Sequence, residues 1–259
     1  MKIFTHIVLP SAFLFLPLTG TPALFAKSDE QGHSVHWGYE GEYGPEHWGD
    51  IKSDYSKCKG GQQQSPVGIA ITEKAELDKI NIHYYNTPLR IINNGHTIQV
   101  NYAKGSTITI GNKNYELLQF HFHSPSEHKL NGNTYDMELH LVHKDEHGKL
   151  AVIGILMQEG KANDFIKTLW NNLPAEAGKE RSVTEVKINA SQVIPQNMAY
   201  YTYSGSLTVP PCNEIVTWYV LKTPIEVSKA QIEKFTSFIK KSARPIKPLY
   251  GRVVRESNQ

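Results

Sequence analysis

Two runs, Gln119-Phe120-His121-Phe122-His123 and Glu138-Leu139-His140-Leu141-Val142-His143, decide how this chain is read. Both alternate polar and apolar side chains with a period of two, the pattern of a β-strand whose faces lie in different surroundings. Gln119, His121 and His123 therefore share a face opposed by Phe120 and Phe122, and Glu138, His140 and Val142 share one opposed by Leu139 and Leu141. Two neighbouring antiparallel strands of this parity bring His121, His123 and His140 around one point. Three neutral imidazoles and an open fourth position are how catalytic zinc is held. Each ligating ring also needs a partner on its second nitrogen, and Gln119 and Glu138 stand two residues before a histidine on the same face. The alternative for any His-x-His strand is a satisfied surface or core pair. His128, His143 and His147 are read that way, having no partners in register.

Outward from these runs the same grammar repeats. Leu89-Arg90-Ile91-Ile92 meets Asn93-Asn94-Gly95, and alternation resumes at His96-Thr97-Ile98-Gln99-Val100; Asn-Gly between apolar runs predicts a hairpin. Ser106–Ile110 and Tyr115–His123 flank a second turn, and Asp136–Lys144 and Leu150–Gln158 flank a third at Glu146-His147-Gly148. Helices are fewer: Asn163–Trp170, and Lys229–Lys240 with Ser228 and Gln231 at capping-box spacing. The predicted class is mainly β with peripheral helices (α+β). The metalloprotease, zinc-finger and serine-hydrolase templates do not apply, because His-Glu-x-x-His, Cys-x-x-Cys and Gly-x-Ser-x-Gly are all missing from the sequence.

The 259 residues carry 27 Lys plus Arg against 25 Asp plus Glu, a net charge of +2. That balance argues against a nucleic-acid partner, which needs a clustered cationic surplus. A hydrophobic fraction of 39% supports a sizeable core, and no repeat or low-complexity linker divides the chain, so one domain is expected. At the N-terminus, Lys2 precedes an apolar stretch from Ile7 to Phe25, broken by Pro10, Pro17 and Pro22 and ending at Ala26 before Lys27-Ser28-Asp29-Glu30. Residues 1–26 resemble a secretory signal peptide; an uncleaved anchor is the alternative. The mature chain would then occupy an oxidising compartment, periplasmic or secreted. Cys58 and Cys212 fit that setting as one disulfide, worth roughly 4–5 kcal/mol on the loop-entropy model; two buried free thiols are the alternative.

Further motifs join these. They are His36-Trp37-Gly38-Tyr39, Gly44-Pro45-Glu46-His47-Trp48, Gln64-Ser65-Pro66-Val67, Asn93-Asn94-Gly95-His96 and Ser126-Glu127-His128. Towards the C-terminus stand Tyr203-Ser204-Gly205-Ser206-Leu207-Thr208, Pro210-Pro211-Cys212, Val216-Thr217-Trp218 and Arg244-Pro245. With the two histidine runs, and in this order, the chain resembles the alpha-class carbonic anhydrases, nearest to their exported bacterial members. The resemblance spans essentially the whole mature chain.

It implies a single domain, residues 27–259, on a twisted, largely antiparallel central sheet, with Zn2+ held by His121, His123 and His140 at the base of a cleft. The implied reaction is reversible hydration of carbon dioxide to bicarbonate and a proton by zinc-bound hydroxide. Thr208 would orient that hydroxide and pass a hydrogen bond to Glu127, and Val142, Val152, Leu207 and Trp218 would form the apolar substrate wall. His96, on the strand after the Asn-Asn-Gly turn, matches the proton shuttle; Tyr39, Asn94 and Gln99 match the residues that order water on the proton path. Carbon dioxide and bicarbonate are the implied partners, with anions and sulfonamide-type compounds as inhibitors; a homodimer is compatible. The chain departs from the family at Val209, where many relatives carry a second Thr, which bears on anion selectivity, and at Lys247 and Tyr250. Two other readings compete: a binding module that has lost catalysis, which typically lacks one of the three ligands, and a zinc hydrolase acting mainly on esters.

Overall fold

A computed structural model describes residues 36–174 and 176–258; the expected signal peptide, residues 1–26, lies outside the described residues. Among the described residues, thirteen strands form one sheet. Eight of them position the site: β1 (Thr87–Asn93), β2 (Ile98–Asn101), β3 (Lys113–His123), β4 (Met137–Lys144), β5 (Leu150–Glu159), β6 (Glu180–Ile188), β7 (Tyr200–Gly205) and β8 (Val216–Leu221). Their order across the sheet is β6-β1-β2-β3-β4-β5-β8-β7. All of these neighbours are antiparallel except β5 and β8, which run parallel. The long excursion from β5 through a helix, β6 and β7 brings the chain back in its original direction, as a parallel pairing requires. Largely antiparallel is thus the right description, with one parallel seam beside the histidine strands.

Register brings His121 directly opposite His140, and His123 opposite Glu138. A bulge makes this possible. Leu117 pairs with His143 and Gln119 with Val142, so Leu118 is an extra residue on β3. Before it Tyr115 and Leu117 enter the core; after it Phe120 and Phe122 do. The bulge reverses the parity of the strand and turns Gln119, His121 and His123 to the other face, the re-aiming role that bulges often serve.

The two faces of the sheet bury different things. One carries the large core: Leu89, Ile91, Val100, Phe120, Phe122, Leu139, Leu141, Ile153 and Ile155, covered by helices α1 (Asp164–Trp170) and α2 (Lys229–Phe238). Asn163 caps α1 through a bond from the Ile166 N–H, and Ser228 with Gln231 forms the expected capping box on α2. The other face carries a smaller cluster with Val142, Val152, Tyr203, Val216 and Trp218. Among the described residues no helix is long and apolar enough to cross a membrane.

One expectation fails locally: β2 begins at Ile98, so His96 lies in the turn and not on a strand. Asn93 Oδ1 accepts from the Gly95 N–H, and Asn94 Oδ1 from those of His96 and Thr97, at 2.9–3.0 Å. The two asparagines spend these amides on the turn before the ladder can use them. Gly95, at φ +86°, supplies the left-handed residue the turn needs. Thr97 then fastens the turn to β3, its hydroxyl donating to the Phe122 carbonyl.

Two predictions follow from the fold. Tyr250 holds a left-handed φ of 50° while 62% exposed, so its side chain gains little that offsets the strain. Tyr250→Asn should stabilise the protein by about 1 kcal/mol, raising the denaturant midpoint with an unchanged slope. His143 is fully buried, with Nε2 2.6 Å from the Tyr84 hydroxyl and Nδ1 donating to the Ala151 carbonyl at 3.1 Å. Burial lowers its pKa from 6.5 to about 4. The unfolded chain therefore binds a proton that the folded one refuses, and this contribution is present above pH 6.5 and lost as pH falls towards 4. His143→Phe should make stability less pH-dependent across that window, by up to about 3 kcal/mol, in denaturant titrations at several pH values.

Candidate active site

Each of the three histidines predicted to meet has one ring nitrogen committed to the protein. His121 Nδ1 donates to Gln119 Oε1 at 2.9 Å, and His140 Nε2 to Glu138 Oε1 at 2.9 Å. His123 Nδ1 donates to the carbonyl of Ser242. One nitrogen per ring remains, and the ligand atoms of the three residues lie within 4.8 Å of one another. His123 Nε2 is buried with no hydrogen-bond partner, an orphan that needs an occupant. Burial, followed by the neighbouring imidazoles, holds His121 well below the usual range; burial lowers His123 to about 4 and lowers His140 as well. Neutral rings are what a metal ion requires. The donor set, three neutral imidazole nitrogens, fits zinc.

Glu138 is fully buried and saturated. Its Oε1 accepts from His140 and from His128 Nδ1 at 2.7 Å, and its Oε2 from the amides of Glu127 and His128 at 2.9 and 2.8 Å. Burial pushes its pKa up, but its interactions with His128 and His140, hydrogen bonds included, more than offset that and hold it well below the carboxylate range. Gly154, opposite His140 on β5, gives this carboxylate room, since a Cβ there would sit 3.0 Å from Oε1. His128 is indeed a satisfied core residue; its Nε2 meets the Tyr203 hydroxyl at 2.6 Å, which continues to Ser65 Oγ at 3.0 Å.

Glu127 Oε1 accepts from the Arg244 N–H at 2.9 Å, while Oε2 faces His123 Nε2 at 3.5 Å and His140 Nδ1 at 3.9 Å. Burial raises its pKa to about 7 against the lowering effects of His140, the Arg244 amide and the Thr208 hydroxyl. The Thr208 contact is loose, short of full hydrogen-bond geometry at Oε2. Thr208 is itself buried, on a loop fastened by Leu207 N–H to Asn213 O and by the disulfide between Cys58 and Cys212.

One register row across the sheet reads Gln119, Val142, Val152, Trp218, Tyr203. Its middle three residues and Leu207 pack in one apolar cluster beside the imidazoles, with Trp218 4.8 Å from His140 between ring centroids. Val209 is only partly buried. Gln99 sits opposite His121, its amide donating to Asn101 Oδ1 at 2.7 Å. Asn94 is exposed, its oxygen committed to the turn, and Tyr39 packs against Trp37 and Trp48, its hydroxyl raised well above the usual value by burial and by Glu127. His96 stacks face to face on Trp37, 3.8 Å between ring centroids, with His36 6.1 Å away; burial and then His36 lower its pKa. Trp37, Ser242 and the Arg244 side chain are not found by reading strand parity, because none lies on a strand.

Residues 43–258 match the family model for eukaryotic-type carbonic anhydrase. A carbonic anhydrase from Nostoc sp. is 44% identical over 235 residues, 89% of each chain. Among solved structures, a hyperthermostable carbonic anhydrase from an active hydrothermal vent chimney superposes with a TM-score of 0.84 at 50% identity, covering 86% of this chain and all of that one. The alpha-carbonic anhydrase of Thermovibrio ammonificans, in complex with sulfanilamide, gives 0.83 at 42% identity over 86% of this chain and all of its own. With its histidine triad on adjacent strands and its relatives matched over most of their length, this chain belongs to the eukaryotic-type, or alpha, carbonic anhydrase family.

Proposed function

We propose that this chain is an exported zinc enzyme that interconverts carbon dioxide with bicarbonate and a proton, residues 1–26 being the export signal and 27–259 the catalytic domain. The observation that carries the reading is the set of three neutral imidazoles, each with one nitrogen held by the protein and one directed to a common point. His121, His123 and His140 would hold the metal. When bound, zinc brings the pKa of a coordinated water to about 7, an effect for which carbonic anhydrases are the standard instance. A disulfide between Cys58 and Cys212 supports an oxidising destination such as the periplasm.

The protein's own groups divide the rest of the work. When Glu127 is ionised it offers no proton, and in that state the Thr208 proton is turned towards it and the Thr208 lone pairs are left for another partner. Thr208 thereby selects a partner that donates and fixes its orientation, a positional contribution. Val142, Val152, Leu207 and Trp218 offer carbon dioxide an apolar wall with no polar group to hydrate, and Val209 borders the place an anion would occupy. His96 receives the proton; its lowered pKa keeps the ring neutral and accepting at pH 7. Tyr39, Asn94 and Gln99 are assigned the ordering of water between the two. The sulfanilamide complex of the Thermovibrio relative supports sulfonamide-type compounds as inhibitors here.

Two measurements test this. The mature protein should contain one zinc per chain by elemental analysis and hydrate carbon dioxide. His121→Ala should lose stoichiometric zinc and roughly a hundredfold or more of the activity; full retention of either rejects the ligand assignment. His96→Ala should lower kcat on the order of tenfold or more in weak buffer while kcat/KM stays unchanged, and imidazole buffer should restore it. A kcat that does not move removes His96 from the proton path and leaves the metal site standing.

A further inference from the structure

Arg244 is 2% exposed, yet among the described residues its guanidinium pairs with no carboxylate. It donates to neutral acceptors only, all within residues 58–65: Gln64 Oε1 at 2.9 Å, Ser65 O at 2.7 Å and Cys58 O at 2.9 Å. Nε is left without a partner, and the ring of Trp48 lies 5.5 Å from the charge. A cation buried on these terms is costly, so a purely space-filling role is a poor account of it.

The backbone attached to this side chain serves the metal site twice. Ser242 O accepts from His123 Nδ1, and the Arg244 N–H donates to Glu127 Oε1 at 2.9 Å. The strap 242–244 has no regular secondary structure, so no ladder sets its course. At one end Ser242 is paired with Ser124 through N–H to O at 3.0 Å and through Oγ at 3.1 Å; at the other the guanidinium is the anchor. One of the guanidinium's acceptors is the carbonyl of Cys58, whose side chain is bonded to Cys212. We propose that Arg244 is a positioning residue: its side chain fixes the strap that aims His123 and Glu127, and through Cys58 it links that strap to the disulfide. The inference rests on the reading of His121, His123 and His140 as a zinc site. Only a planar fork reaches all three acceptors, so lysine keeps the charge and loses the geometry.

The test compares zinc-loaded wild type with R244K, and with Ile108→Ala as a destabilised control, since Ile108 is fully buried on the remote Thr107–Ile110 strand. Zinc release to a chelator and thermal midpoint are read together, before any activity assay. R244K should release zinc on the order of tenfold faster than wild type, and faster than Ile108→Ala even where the control loses more thermal stability. Reduction of the disulfide should speed release from wild type and add little in R244K, the non-additivity expected of one connected network. Should R244K fail to fold, Q64L removes one of the guanidinium's three acceptors, together with the Gln64 Nε2 donations to Cys212 O and Glu214 Oε1, and should speed release at least about threefold. Release within twofold of wild type in R244K, or no faster than in Ile108→Ala, overturns the proposal, as does full additivity with reduction or a Q64L rate equal to wild type. Wild-type hydration of carbon dioxide decides the functional reading separately: zinc binding without hydration rejects that reading alone, and a wild type that holds no zinc rejects both.

Discussion

A carboxylate placed in the interior with no water to solvate it is the constraint from which the site is built. Glu138 stays ionised only because four donors converge on it: two imidazole N–H groups and two backbone amides. Each of those donors is thereby fixed. His140 must carry its proton on Nε2, which frees Nδ1; His128 must carry its own on Nδ1, which turns Nε2 to Tyr203. The amide of Glu127 is held as well, so the carboxylate that meets Thr208 inherits its position from Glu138. Truncating this one side chain would leave four unsatisfied donors in the interior, at roughly 1–3 kcal/mol each.

The sheet supplies the remaining order. Because His121 faces His140 in register and the next pair on the same face is His123 with Glu138, the three ligands and Glu138 occupy two neighbouring rows of that face, with Gln119 in the row beyond and Ser242 off the sheet. The next row of this face beyond His121 holds Val142, Val152 and Trp218 of the apolar cluster, so the polar and apolar surroundings of the imidazoles lie two residues apart along the strand. The large core on the opposite face lets this happen without penalty to stability: Phe120, Phe122, Leu139 and Leu141 bury the alternate positions of the same strands. A one-residue slip between β3 and β4 would send imidazoles into that core and phenylalanines into the cleft. The bulge at Leu118 is what sets the register in which both faces are served.

How much of this could be read beforehand depends on the range of each interaction. The strand faces of His121, His123 and His140, and the pairing of His121 and His140 with supports two residues earlier, follow from period-two geometry and are legible in the two runs alone. The helices are legible for a similarly local reason, their caps being set within four residues. Alternation resumes at His96 and so reads as strand there; the side chains of Asn93 and Asn94 decide otherwise, and a turn that borrows amides from the following strand has no hydropathy signal. Leu118 is invisible as a bulge for the same reason. The parallel seam of β5 and β8, the Ser242 carbonyl and the Arg244 fork depend on contacts across many dozens of residues, and strand parity says nothing about irregular segments.

Three elements far apart in sequence thus converge on the histidine cluster: the Ser65 loop, the 206–214 loop and the 242–244 strap. Ser65 bonds reciprocally with Ser206, its N–H to Oγ at 2.9 Å and its Oγ from the Ser206 N–H at 3.0 Å, and it also touches Tyr203 and Arg244. All of these groups are buried, so each bond broken exposes none of them to water and leaves a partner unsatisfied. Such a network resists small displacements in a way that three independent surface loops would not. The imidazoles are held by the fold's own hydrogen bonds, so the ordering of the ligands of the proposed zinc ion would be met by folding rather than by the metal.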